Sequence, residues 1–277
     1  MKPPTCIHLH RTAINSARTG PARRAAPPLF LTVLTLFSAQ ATDGYFSNGY
    51  GLKAKGRAGV ALTATDDAFG GANNPATLSW GTDRLDLGLD YFRPDRSAER
   101  TGNAIPLNAS VHSDRRDFVI PELAFQHSLN EQFTTGLSIY GNGGMNTDYA
   151  GGQLNLGPGR TNQNILAGNG HLGVNLEQLL VAPTVAWKFA QTQSIGLAPV
   201  IAYQRFKAYG LDAFTPLSQD PTALSNRGID QSWGGGVRVG YLWAITPDVS
   251  LGAAYSSRVF SSGFDKYRGL LDRKSVV

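Results

Sequence analysis

From Arg84 to the neighbourhood of Phe260, segments in which apolar and polar or small side chains alternate at every second residue recur between turns and loops. Nothing after the first 41 residues approaches the run of about eighteen apolar residues that a membrane helix needs. Such a chain is confined to sheet with one apolar face, which means a barrel in a membrane or a soluble sandwich. The stretch 231–244 separates the two. Trp233 and Trp243 share a face with Val237, Val239 and Tyr241, and the other face is Gly234, Gly236, Arg238 and Gly240. Ten residues at about 3.3 Å each, tilted about 40°, rise roughly 25 Å, the height of the apolar band between two aromatic girdles. Small residues and one charge suit a wet lumen or a plug and do not suit a sandwich core.

The same pattern predicts strands near 84–93, 117–128, 132–141, 177–189, 194–206, 231–244 and 249–260, with a bulge or irregularity at Pro121. Short turns (129–131, 190–193, 245–248) alternate with long polar loops (94–116, 142–175, 207–230). Outer-membrane barrels show that asymmetry, with their longer loops outside. Seven strands cannot close a barrel, because single-chain bacterial barrels use even counts and an open edge in lipid leaves backbone groups unpaired. The chain ends on the polar Asp272–Val277 without a terminal aromatic residue. The expectation is the N-terminal part of a longer, monomeric barrel.

Residues 1–41 read as a secretory signal. Lys2, Arg11, Arg18, Arg23 and Arg24 precede the apolar stretch Leu29–Phe37, and Ala39-Gln-Ala41 is a small-x-small cleavage site. Without these five of its 25 basic residues the chain carries 20 basic against 20 acidic groups, so the pI of 9.4 supports no nucleic-acid reading. Cys6, the sole cysteine, leaves with the signal. A mature chain without thiols fits an oxidising compartment and excludes thiolate metal sites.

Residues 42–81 differ from all that follows. They are rich in Gly, Ala and short polar residues, lack a period of two, and predict a compact plug with a short helix near Ala58–Leu62. Within them Asp66 and Asp67 precede the turn Asn74-Pro75-Ala76. Proline fixes φ and asparagine satisfies neighbouring backbone groups, so this turn is rigid. Gly70 and Gly71 allow close approach to a wall. The domain boundaries are thus signal 1–41, plug 42–81 and barrel wall 82–277.

Three matching pieces carry a resemblance: Gly56-Arg-Ala-Gly-Val-Ala61, Thr65-Asp-Asp-Ala68 and Asn74-Pro-Ala76, followed directly by the first strand. With the hairpin from Val119 to Tyr140 and the segment Phe264–Leu270, they make the chain similar to the FadL/TodX family of outer-membrane transporters for long-chain fatty acids and other hydrophobic compounds. The resemblance implies a 14-stranded barrel closed by an N-terminal hatch. It also implies capture of ligand at an apolar groove in the outer loops, transfer to a site beside the hatch, and lateral release into the membrane at a kink in the third strand. The hatch motif is then Asp66, Asp67, Asn74, Pro75 and Ala76.

Apolar residues in the long loops are the candidate capture groove: Met145, Leu154, Leu156, Ile165, Leu166 and Leu172 in one, Leu211, Phe214 and Leu217 in the other. Each buried CH₂ of a ligand there gains about 0.8 kcal/mol. The plainer reading of the same residues is that the loops pack on each other as a cap. Lys53, Lys55 and Arg57 faintly resemble a phosphate loop, but the Lys-Ser/Thr pair and a preceding strand are missing. They greet a carboxylate or phosphate, or form a solvated turn. His112, His127 and His171 lie in separate segments without ligand spacing, so no metal, cofactor or catalytic group is expected. His127 and Ser128 are adjacent on a strand and point to opposite faces, which leaves no lipase triad. The reading is a passive outer-membrane channel for hydrophobic molecules whose partners are ligand and membrane lipid. A general porin and an outer-membrane lipase are its alternatives.

Overall fold

The computed structural model describes residues 46–102 and 107–270. The expected signal at 1–41 and the polar end Asp272–Val277 lie outside the described residues. Ten strands occur among them: β1 (Arg84–Phe92), β2 (Ser97–Arg100), β3 (Ala109–His112), β4 (Phe118–Ser128), β5 (Phe133–Tyr149), β6 (Leu172–Ala190), β7 (Gln193–Tyr209), β8 (Asp230–Thr246), β9 (Val249–Ser256) and β10 (Phe260–Ser261). Eight make one antiparallel sheet in the order β1-β4-β5-β6-β7-β8, with β9 and β10 both paired to the far side of β8. The eight therefore occupy seven positions, the number predicted, and form half of an antiparallel barrel wall. No helix among the described residues is long and apolar enough to cross a membrane, which says nothing about strands.

The alternation read from sequence is the wall's two faces. Leu85, Leu87 and Leu89 are 59%, 69% and 65% exposed on the outward face, whereas Ala124, Ala182, Ala186, Ala198 and Ala202 are fully buried on the inward one. Near the short turns the outward rings of Phe133 and Trp187 stack at 5.9 Å, and Trp187 meets Phe189. Toward the long connections Tyr203 packs on Trp233 at 4.8 Å. Two aromatic belts thus bracket an apolar band, as lipid requires.

Four expectations need correction. The plug's helix is α1 (Leu52–Gly56), ahead of the predicted 58–62, because Ala58 and Gly59 have φ of 55° and 88° and end it. The predicted loop 94–116 holds the hairpin β2–β3, whose four-residue strands are too short to show a period. The predicted loop 142–175 is sheet at both ends, since β5 runs to Tyr149 and β6 starts at Leu172, so Met145 and Leu172 are strand residues. Gly and Asn have low strand propensity, yet all of these β5 residues except Asn142 pair with β6, with Asn146 bonded to Asn175 at 3.1 Å. The strand predicted at 249–260 is interrupted after Ser256, where Ser257 bonds back to Val237.

Candidate functional site

The inward face is lined by what the N-terminal segment needs for close approach. Built onto the backbone, a Cβ at Gly196 would strike Pro75 and Ala76, and one at Gly240 would strike Asn74 and Pro75. Wall glycines at these two positions let the Asn-Pro-Ala turn lie directly on β7 and β8. Asn74 caps the 3₁₀ turn Pro75–Trp80, its Oδ1 accepting from the Ala76 N–H at 3.1 Å. Its Nδ2 donates to the carbonyls of Leu62 (2.7 Å) and Tyr241 (3.0 Å), tying turn, plug and wall together. Ser194 Oγ donates to the Ala76 carbonyl and accepts from Trp80 Nε1, and Gln126 donates to the Leu78 carbonyl. Asn74 is fully buried, so truncation strands several polar groups. Asn74→Ala is expected to destabilise the protein by about 2–3 kcal/mol, read as a lowered melting temperature in detergent.

Higher on the wall, Arg238 donates to the carbonyls of Gly71 (2.9 Å) and Ala72, to Tyr140 Oη (3.2 Å) and to Ser256 Oγ (2.7 Å). Phe69 and Ala72 pack there against Tyr140, Leu180 and small wall residues. The paired aspartates, equivalent in sequence, part company. Asp66 is exposed, and the hydrogen bond from Arg57 holds its carboxyl below the usual range. Asp67 is buried, which pushes its carboxyl up although it accepts from the Phe69 N–H at 3.0 Å. The basic run is engaged by acids. Lys53 and Arg57 pair with Asp66, and Lys55 pairs with Asp90 (2.9 Å) and buried Glu122. Burial pulls the Lys55 ammonium down, but the bonds and charges of Glu122 and Asp90 outweigh it and leave it raised. Glu122 also accepts from the Gly51 N–H at 3.0 Å, fixing the start of α1 on β4.

The wall is not uniformly closed beside this contact. β1 pairs with β4 along the whole of β4 except its last two residues, and β5 pairs with β6 from end to end. Between them, β4 and β5 are in register only from Ser128↔Thr134 to Leu123↔Ile139. Beyond Ile139 the β5 ladder shifts at Gly141/Gly143, and β4 carries Pro121, which has no N–H to donate. Further up, β5 is tied to the connection ahead of β4, where Ser113 bridges Tyr149 and Asp114 N–H bonds Asp148 at 2.8 Å. The result is a side window bounded by β4 and by Tyr140–Thr147 of β5. Phe46 bridges Gly143 at it, and Tyr50 bonds Asn142 and packs on Tyr140 at 4.3 Å. The residues alone placed an irregularity at Pro121; the shift opposite falls in β5, the third predicted strand, for which only the family resemblance implied a kink. The Gly141-Asn-Gly-Gly144 run was its signal.

The loop residues proposed for capture divide. Ile165 and Leu172 are buried with Val111 of β3, and Leu211 packs against them, so these three form a cap. Leu154 is also buried. Met145, Leu166, Phe214 and Leu217 remain exposed, at 43%, 40%, 39% and 81%, and Leu156 is half-buried. Because the register shift reverses the faces of β5, Met145 pairs with Leu176 on the inward side. The segment Phe264–Leu270 tucks Tyr267 under this region, where it is fully buried edge-on to Phe206. His112, His127 and His171 sit apart, each beside an aspartate, and no cluster of three potential metal ligands occurs among the described residues.

A lipid-facing antiparallel half-barrel with aromatic belts, short turns at one end and long connections at the other defines a bacterial outer-membrane barrel protein. The profile of the outer membrane protein transport protein family (OMPP1/FadL/TodX) matches residues 33–272, and the chain belongs to that family. Solved structures share the fold. The Pseudomonas putida toluene transporter TodX superposes with a TM-score of 0.59 at 16% identity, over 76% of this chain and 56% of that one. A Pseudomonas aeruginosa FadL homologue gives 0.52 at 16% identity, over 82% and 57%. The chain thus spans little more than half the length of these proteins. No curated protein sequence matches it.

Proposed function

We propose that residues 42–81 act as the hatch of a passive channel for long-chain fatty acids or similar hydrophobic compounds. Residues 1–41 direct its export. Ligand is captured by the exposed apolar residues at the long-connection end, Met145, Leu166, Phe214 and Leu217 foremost. It then passes the hatch and leaves sideways into the membrane between β4 and β5. The observation that carries this reading is the interrupted β4–β5 ladder, lying where Phe46 and Tyr50 of the N-terminal segment reach the wall. A backbone gap facing lipid is costly unless something occupies it, and an apolar ligand can cross there without meeting water. Diffusion along apolar contacts needs no cofactor and makes or breaks no bond, so the protein is a conduit and not an enzyme.

A disulfide across the window tests the route. A Cβ on Gly141 would lie 2.8 Å from Ile120 Cγ2, so cysteines at both positions are within bonding reach. Cells expressing Ile120→Cys/Gly141→Cys are expected to take up labelled oleate about ten-fold more slowly when oxidised and to recover on reduction. Uptake indifferent to the cross-link would remove the lateral route. Equal uptake by cells with and without the gene would remove the fatty-acid assignment, and labelled toluene in a parallel arm addresses the aromatic alternative suggested by TodX.

A further inference from the structure

Outside the barrel, above the upper aromatic belt, the wall changes chemistry in a way transport does not use. Along the outward face of β7 the order is Ile195, Leu197, Pro199, Ile201, then Tyr203, then Arg205, Lys207 and Tyr209. Lys207 is four residues past the belt, about 13 Å along the strand and roughly 10 Å in height once tilted. The polar headgroup layer is about 5–8 Å thick on each side, so Lys207 reaches its outer edge. At this level lies an open cleft of about 500 Å³ between Arg115, Lys207, His171, Tyr209, Asn226 and a single acid, Asp148. His171 Nδ1 is 2.8 Å from Asp148, and Lys207 lies over the Tyr209 ring at 4.9 Å. The neighbouring Arg205 is balanced by Glu177 at 3.4 Å. Neither Arg115 nor Lys207 takes part in an ion pair among the described residues, so the cleft carries cationic charge in excess of its one carboxylate.

Directly below it on the same face is a second recess of about 140 Å³ lined by Leu179, Val181, Ile201, Tyr203 and Trp233, all apolar or aromatic. A cationic cleft stacked on an apolar slot, both facing the membrane, matches a molecule with a phosphate above an acyl chain. We propose that this outer face seats one phosphorylated glycolipid of the outer leaflet, its phosphate between Arg115 and Lys207 and an acyl chain against Ile201 and Trp233. The proposal rests on the membrane placement of the wall and is independent of what passes through the lumen.

The full chain folded in a neutral detergent is titrated with bisphosphorylated lipid A, with lipid A stripped of its phosphates, and with inorganic phosphate. Binding is followed by melting temperature and by tryptophan fluorescence, since Trp233 lines the slot. Wild type is expected to bind the bisphosphorylated form and to be stabilised by it. Arg115→Ala/Lys207→Ala should weaken binding at least ten-fold, as loss of charge-assisted bonds predicts. Asp148→Asn should strengthen it, an opposite sign that misfolding cannot produce. Equal binding of the stripped lipid, or of the double variant, would overturn the proposal. So would protection by inorganic phosphate alone at the same concentration, which would make the cleft a small-anion site.

Discussion

Valine at Gly240 is expected to unseat the Asn-Pro-Ala turn and cost about 3 kcal/mol or more, whereas valine at Gly235, five residues away on the same strand, should cost under about 0.5 kcal/mol. The difference is one of facing. A Cβ on Gly240 lands on Asn74 Oδ1, 2.9 Å from Pro75 Cδ and 3.0 Å from Asn74 Cγ, atoms that a proline ring and an asparagine held by three side-chain hydrogen bonds cannot move. A Cβ on Gly235 points outward and finds only the Val200 carbonyl at 3.9 Å, an ordinary contact. Melting in detergent, with limited proteolysis between residues 46 and 81, reads both effects. The Gly240→Val wall should remain sheet while the N-terminal segment becomes cleavable. Equal tolerance at the two glycines would mean that the turn does not rest on β8.

That contrast also shows what the sequence made legible. The period of two assigns Gly235 and Gly240 to opposite faces before any coordinates are known, because lipid and lumen impose different chemistry on alternate residues. The same logic identified all seven wall positions and the segment ahead of them. It could not identify what each inward glycine faces, since a missing side chain names no partner; Gly196 and Gly240 acquire meaning only once Pro75 lies on them. It also failed beyond the apolar band. Above the girdle no lipid enforces alternation, so the upper half of β5 and the upper end of β6 read as loop although their backbones pair with each other on both sides of the shift at Asn142. The capture residues suffered most, because apolar side chains in connections look alike whether they line a cap, as Ile165 and Leu211 do, or stay exposed, as Leu217 does.

Arg238 carries the other large expectation. It was legible as the one charge on a small-residue face, and the structure gives it partners that are not carboxylates: two plug carbonyls and the hydroxyls of Tyr140 and Ser256. With only 9% of its surface exposed, it is fixed by hydrogen bonds and has no compensating negative charge in the ion pairs of the described residues. Removing it strands the Gly71 and Ala72 carbonyls, each worth about 1–3 kcal/mol when buried and unmade. Lumen water recovers part of that loss, so Arg238→Ala is expected to raise the opening of residues 68–73 by about 2 kcal/mol, or roughly thirty-fold in amide exchange. Arg238→Lys should recover only part, because a single ammonium cannot serve both the plug carbonyls, bonded by Nη1, and Ser256 Oγ, bonded by Nε. If the plug is the barrier to small solutes, ion leakage through planar bilayers should rise in step with exchange in both variants. Unchanged exchange at 68–73 in Arg238→Ala would show that the plug is held by its glycine-lined seat at Asn74 alone. In that case Arg238 would have to be assigned to the lumen and not to the plug.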